Sequence, residues 1–419
     1  MQEMTKIVSA PARPGAIRRI ALIGNYLPRR CGIATFTTHV HQALCARYPG
    51  TATDVYAMND RGNSYLYSPA VTATVDQDDP ASYQRAAATI LRRGTDLIWV
   101  QHEFGIFGGP AGEYILSILE RVALPVIVTL HTVLAEPTAE QRAVMERLLR
   151  RATLVIVMAQ RAEAILRATY AQQVGAVAVI PHGIPDRPYE EPRAARLRQG
   201  LEDRLSILTF GLLSPDKGIE TMIRAMPAII QACPEATYTI VGATHPHLIA
   251  HEGEAHRERL QALARTLGVA DHLRWENRFL DEAELLERIA AADLYVTPYR
   301  NPAQITSGTL SYAAGLGKPI VSTPYVHARE LLADGRGCLV PFDDADAMSR
   351  AIVTLVKDEV SRRAMAKRIY LHSRRAVWTN MVTRIIETAR ALTLGPAAGA
   401  ALDFPVAAEA ADTAELIAA

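Results

Sequence analysis

The chain has 419 residues, 49% hydrophobic and 21% charged, with a formal net charge of +1. That length exceeds one core and predicts two domains of similar size, while the near-neutral balance gives no reason to invoke nucleic acid or an anionic membrane as partner. Cys31, Cys45, Cys233 and Cys338 are widely spaced without a C-x-x-C pair, no apolar run approaches the roughly 18 residues of a membrane span, and the N-terminus lacks a signal-peptide core, so a reducing, cytoplasmic setting is expected.

Short β-rich runs alternate with helical patterns from end to end. The expected strands are 19–24, 53–58, 97–102, 125–131, 154–159 and 176–181, then 205–211, 237–242, 273–277, 294–298, 319–324 and 338–341. Near-continuous Val/Ile/Leu runs are what strands buried on both faces require. Their alternation with helices implies parallel sheets with right-handed crossovers, hence an α/β protein. The stretch 184–204 is charged, holds Pro185, Pro188 and Pro192, lacks a strand pattern and reads as a linker. The expected layout is therefore two doubly wound domains, 17–183 and 205–375, facing each other across a cleft. A helix over 376–394 follows and could cross back to the first domain. Residues 1–16 and the alanine-rich 395–419 read as disordered. There is no internal repeat.

In open α/β sheets ligands bind beyond the carboxyl ends of the strands, where loops lead into helix N-termini. After the first strand, Arg29 and Arg30 precede Gly32 at a helix start, where backbone can approach an anion; a plain strand–helix turn with solvated arginines gives the same pattern. After 97–102, His102 and Glu103 leave the strand together, ahead of Gly105, Gly108 and Gly109. That loop suits polar ligand contact, or the glycines only shape it. His131 ends the strand 125–131, and His182 lies at the domain junction, where a structural role fits better. In the second half Gly211, Ser214, Lys217 and Gly218 lie between strand and helix. This is no Walker A loop, but a lysine there can bind a diphosphate as a point charge. His245, His247, His251 and His256 fit no familiar zinc spacing and read as a loop with a helix starting near Glu252. Finally, Thr306, Ser307, Gly308 and Thr309 open a helix between two buried strands. A hydroxyl can cap it, and the amides at its positive end favour an anion.

Four stretches, "YLPRRCGIATFTTHV", "VTLHTV", "FGLLSPDKGIETMIRAM" and "VTPYRNPAQITSGTLSYAAGLGKPIVSTP", together resemble the retaining family 4 of GT-B glycosyltransferases, over about Ile20 to Pro341. The resemblance implies GT-B architecture: two facing Rossmann-like domains with parallel sheets and an interdomain cleft. It further implies transfer of a hexose, mannose or glucose, from a nucleoside diphosphate sugar to a hydroxyl acceptor such as a saccharide. Configuration would be retained, with no cofactor and no metal. Gly32 and Gly211 would approach the donor, Lys217 would hold the diphosphate with the amides of Ser307 to Thr309, and Arg278 or Arg300 are further cations. His131, with His102 or Glu103, would stand near the sugars. Two departures matter. Leu212 stands where the family carries an arginine, and Gln304 and Tyr312 occupy its two glutamate positions, on the donor sugar and the ribose. Gln304 can hydrogen-bond a sugar but carries no charge, and Tyr312 offers a single hydroxyl. A rebuilt donor site is the expectation.

The rivals are a sugar phosphorylase or nucleotide-sugar epimerase on the same fold, and a sugar- or nucleotide-binding protein without catalysis. A further reading is peripheral membrane association through the basic segment with Arg142, Arg147, Arg150 and Arg151.

Overall fold

The computed structural model describes residues 17–60, 62–201 and 204–394; the segments 1–16 and 395–419, expected to be disordered, lie outside the described residues. The chain divides into two units at Gly183/Ile184 and again at Val377/Trp378, so the first unit is built from the N-terminal part and the last described helix.

The first unit holds β1 (Arg19–Gly24), β2 (Ala52–Asn59), β3 (Val71–Asp76), β4 (Leu97–His102), β5 (Val126–Leu130), β6 (Leu154–Val157) and β7 (Val177–Val179). They form one parallel sheet in the order β3-β2-β1-β4-β5-β6-β7. The second holds β8 (Ser206–Phe210), β9 (Thr237–Val241), β10 (Leu273–Glu276), β11 (Leu294–Thr297), β12 (Ile320–Ser322) and β13 (Cys338–Leu339). These are also parallel, in the order β10-β9-β8-β11-β12-β13. The strand order reverses between β1 and β4 and between β8 and β11. Helices leaving neighbouring strands diverge there, which opens a crevice at the strands' carboxyl ends.

Central strands are fully buried: Leu22, Ile23, Val100, Ile127 and Val128 in the first unit, Ile207, Tyr238, Ile240, Leu294 and Val296 in the second. This is why they read as unbroken apolar runs. β3 does not, and was not expected. It is an edge strand reading V-T-A-T-V-D, in which only Val75 is buried and Thr74 and Asp76 face solvent.

The stretch expected to be a linker packs on the second unit. It contains the helix Pro192–Arg198, whose Arg196 donates to the Ala291 carbonyl (3.0 Å) and to Asp293 (2.9 Å). Asp293 also accepts the Ser206 amide at 2.8 Å, so a carboxylate at the foot of β11 holds this segment to β8. The histidine-rich loop after β9 is likewise more ordered than expected: helices Pro246–Glu252 and Ala255–Thr266 follow one another.

In the first unit the amino ends of β1 and β2 are locked by one carboxylate. Asp54 accepts two bonds from Arg19 at 2.9 Å and two from Arg93, at 2.7 and 2.8 Å. Burial alone would raise its pKa; the Arg93 and Arg19 hydrogen bonds outweigh burial and hold it below the usual carboxylate value. A depressed carboxyl stabilises the fold above its unfolded pKa, near 4, and loses that contribution as pH falls through the lower folded value. We predict that Asp54→Asn costs about 2 kcal/mol at neutral pH and that the deficit shrinks below about pH 4, as measured by denaturant unfolding at a series of pH values.

Candidate functional site

At the carboxyl end of β8 the chain turns through Gly211, whose φ is +131°, and passes close to Gly242 at the end of β9. A Cβ on Gly242 would fall 2.0 Å from the Gly211 carbonyl oxygen, so two backbones lie where side chains cannot. The loop then forms a short 3-10 turn, Pro215–Lys217, closed by Gly218 in the left-handed region at φ +59°. A Cβ on Gly218 would fall 2.0 Å from the Pro298 carbonyl oxygen, and the Arg300 amide donates to the Asp216 carbonyl at 2.9 Å. The lysine loop is thus stitched to the segment leaving β11, on the two strands that flank the reversal point.

The stitching puts Lys217 Nζ 3.9 Å from the centre of the Tyr299 ring. Tyr299 is 2% exposed, stacks on Tyr325 at 5.2 Å between centroids, and shares a 2.8 Å hydrogen bond with the Thr309 hydroxyl. Burial alone would raise this phenol; the Lys217 cation and the Thr309 and Ser307 hydroxyls outweigh burial and draw it below its usual value.

Thr309 belongs to the helix Gly308–Gly315, capped by Ser307, whose hydroxyl accepts the Leu310 amide at 3.3 Å. With that amide used, those of Gly308 and Thr309 remain as the first-turn donors that the helix cannot satisfy itself. The Ser307 amide is not among them: it donates to His327 Nδ1 at 2.8 Å, which fixes that nitrogen as the acceptor. The expectation that the amides of Ser307 to Thr309 act together therefore narrows to Gly308 and Thr309.

Of the two residues at the family's glutamate positions, Tyr312 is buried and Gln304 half-buried. Gln304 Nε2 donates to the Thr306 carbonyl at 2.6 Å, an amide spent on its own loop. Tyr312 is 6% exposed inside the helix. Thr306 Oγ1 is buried without a hydrogen-bond partner. The other expected cations are engaged: Arg278 with Glu284 and Glu276, and Arg300 with Asp343 at 2.8 Å and Glu220 at 3.7 Å. Lys217 is the cation that these contacts bring to the helix end.

In the first unit, Cys31 caps the helix Gly32–Arg47, its sulfur accepting the Ala34 amide. A Cβ on Gly32 would meet nothing within 4 Å, so the helix start is open. Arg29 is drawn inward to Asn25 (3.0 Å) and the Met58 carbonyl (3.2 Å), while Arg30 is exposed. At the ends of β4 and β5, Glu103 accepts the Phe104 amide at 3.0 Å and the Thr132 hydroxyl at 2.5 Å; burial raises its pKa against those two bonds. His131 bonds Gln101 at 3.1 Å and meets Phe36 edge-on. Burial, with His182 and His102 nearby, lowers it to about 3, so the imidazole is neutral at physiological pH.

His102 is buried, and neither of its ring nitrogens has a hydrogen-bond partner among the described residues. Its ring is completely buried against Phe104 and Phe107, because its position on β4 turns it away from the face that carries Gln101. The glycines behind it have packing reasons: a Cβ on Gly108 would fall 1.9 Å from the Gln77 carbonyl oxygen, and Gly109 lies at φ +77° against Tyr114. His182 is structural, bonded to the Gly183 carbonyl at 2.7 Å and packed on Phe36 and Trp378. In the basic segment Arg142 bonds the Thr169 carbonyl and Arg151 the carbonyls of Leu119, Val122 and Leu124, Arg147 makes an exposed pair with Glu120, and Arg150 is exposed. No helix among the described residues is long and apolar enough to cross a membrane.

Sequence reasoning missed Tyr299 and His327. Tyr299 stands two residues beyond the end of β11, a usable signal, but an aromatic there reads as core. His327 lies 20 residues beyond its partner and only the fold joins them. We predict that His327→Leu, which leaves the Ser307 amide buried without an acceptor, costs about 1–3 kcal/mol in denaturant unfolding.

Residues 204–358 match the family model for glycosyl transferases group 1. Over 213 residues the chain is 32% identical to the GDP-mannose-dependent alpha-(1-6)-phosphatidylinositol monomannoside mannosyltransferase of Mycolicibacterium smegmatis, covering 48% of this chain and 52% of that protein. Over 203 residues it is 31% identical to the D-inositol 3-phosphate glycosyltransferase of Thermomonospora curvata, covering 46% and 44%. The chain thus spans about half the length of the curated relatives it matches. In fold it is similar to the sucrose-phosphate synthase from Thermosynechococcus elongatus, with a TM-score of 0.72 at 20% identity over 90% of this chain and 99% of the other. It is also similar to Anabaena Alr3699/HepE in complex with UDP, with a TM-score of 0.69 at 18% identity over 88% and 99%. The segment that carries Lys217 thus matches the glycosyl transferases group 1 model, and the two parallel, doubly wound units have the GT-B fold of these structural neighbours.

Proposed function

We propose that the protein transfers a hexose, mannose or glucose, from a nucleoside diphosphate sugar to a hydroxyl acceptor such as a saccharide, with retention of anomeric configuration. The observation that carries this reading is the placement of one ammonium, Lys217, beside the open first turn of the helix Gly308–Gly315, within the segment matched by the family. A departing diphosphate needs positive charge that is in place before the bond breaks. A fixed lysine and a helix N-terminus supply it without reorganisation, so no resident metal is proposed. His131 is neutral and half-buried, suited to hydrogen-bonding a sugar hydroxyl rather than pairing with an anion. Glu103, its pKa raised by burial, offers a carboxylate at a neighbouring strand end. The acceptor hydroxyl attacks on the face the diphosphate leaves, and the departing phosphate takes its proton.

The relatives support the donor class: one is named for its dependence on GDP-mannose, and one neighbour binds UDP-glucose. A second reading, nucleotide binding without transfer, draws on Gln304, whose amide is turned to Thr306 rather than outward.

The test is thermal unfolding with UDP, GDP, ADP and TDP, followed by turnover of the matching nucleotide sugar. A nucleotide at about 100 times its dissociation constant adds roughly 2.7 kcal/mol of stability, a shift of a few degrees for a chain this size. We expect one of the four to stabilise the wild type, Lys217→Ala to weaken that binding and shrink the shift, and the variant to lose most of its turnover. Wild-type turnover in Lys217→Ala overturns the assignment, and binding without transfer or donor hydrolysis selects the second reading.

A further inference from the structure

We propose that Tyr299 is the positioning residue of the anion site: its ring seats the Lys217 ammonium and its hydroxyl ties that seat to Thr309 in the first turn of the helix, so cation and amides meet one phosphate group. The inference rests on the nucleoside diphosphate reading above and deepens it.

A lysine side chain has four rotatable carbons, and an ammonium loose in water contributes little to a preorganised site. Here the freedom is removed from both ends. The backbone of Lys217 is fixed by Gly218 against Pro298 and by the Arg300 amide on Asp216. Its tip rests 3.9 Å from the Tyr299 ring centre, well within the range of a cation–π contact.

The seat is itself immobile. Tyr299 is 2% exposed and stacked on Tyr325, its carbonyl accepts the Thr323 hydroxyl at 2.5 Å, and its own hydroxyl meets Thr309 at 2.8 Å. Thr309 in turn meets the capping Ser307 hydroxyl at 3.1 Å. The path from ammonium to helix cap therefore runs through three side chains without a gap. Gly211 lies alongside: its Cβ would fall 3.2 Å from the Thr309 methyl group, so any side chain there would crowd the same turn.

Tyr299 does not touch the diphosphate; it acts through Lys217 and Thr309. That separates its signature from a purely structural role. Calorimetric titration with UDP, GDP, ADP and TDP first identifies the nucleotide the wild type binds. Tyr299→Leu, which removes the seat, is then expected to weaken that nucleotide roughly tenfold. Tyr299→Phe, which keeps the ring and removes the tie, should weaken it about threefold. In a Lys217→Ala background Tyr299→Leu should add no further loss, because the cation it seats is gone. Where Tyr299→Leu fails to fold, the cycle is run with Tyr299→Phe against Thr309→Val, and the double variant is expected to lose no more than the worse single one. Wild-type affinity in a folded Tyr299→Leu, or additive losses in either cycle, overturns the proposal. Failure of the wild type to bind any of the four overturns the underlying reading of the site as well.

Discussion

The Gly218 backbone lies against the Pro298 carbonyl, closer than any side chain permits, and the chemistry of the second unit depends on that contact. It joins the loop after β8 to the segment after β11, the strands on either side of the reversal point. Parallel sheets leave a crevice there in general; this one is narrowed until the Arg300 amide bonds the Asp216 carbonyl across two loops. Lys217 consequently has a defined position, over an aromatic ring and next to a helix end, instead of a cloud of rotamers. The Gly211–Gly242 contact does the same one strand further along. Glycine appears at both places because backbone must pass backbone.

What the sequence discloses follows from how local each feature is. Twelve strands were legible, the central ones because burial on both faces leaves unbroken apolar runs; β3 was not, since an edge strand needs only one apolar residue in six to face inward. Lys217, Ser307, Gly308 and Thr309 were legible because they stand at strand–helix junctions, where ligand-binding groups collect in this architecture. Side-chain direction was not. His102 and Gln101 are neighbours on one strand, yet one ring is walled in by two phenylalanines while the other side chain reaches His131. Gln304 and Tyr312 could be placed by alignment, but the choice of a partner from the protein itself is a tertiary matter. So is the pairing of Ser307 with His327.

The strand ends of the two units differ in electrical character. In the first, burial leaves His131 and His182 neutral and works against ionisation of Glu103, an environment for hydroxyl groups. In the second, a fixed ammonium lies beside unsatisfied amides, an environment for an anion. Two sheets that share the same order over six strands thus present different environments, and the difference lies in a handful of side chains beyond the strands.

The helix Trp378–Leu394 belongs with the first unit, although the whole second unit separates them in sequence. Its Trp378 packs on Phe36 and His182, and Val382, Ile385, Ile386 and Ala389 are buried. The second unit is therefore an insertion into the first. During synthesis its 184–377 segment emerges complete, and can fold, before the piece that finishes its neighbour exists. Until Trp378 arrives, Phe36 and the helix Gly32–Arg47 lack the apolar cover they have in the finished molecule. Completion of the first unit thus waits until the 184–377 segment has been made, and the helix Gly32–Arg47 gains the cover of Trp378 only after that.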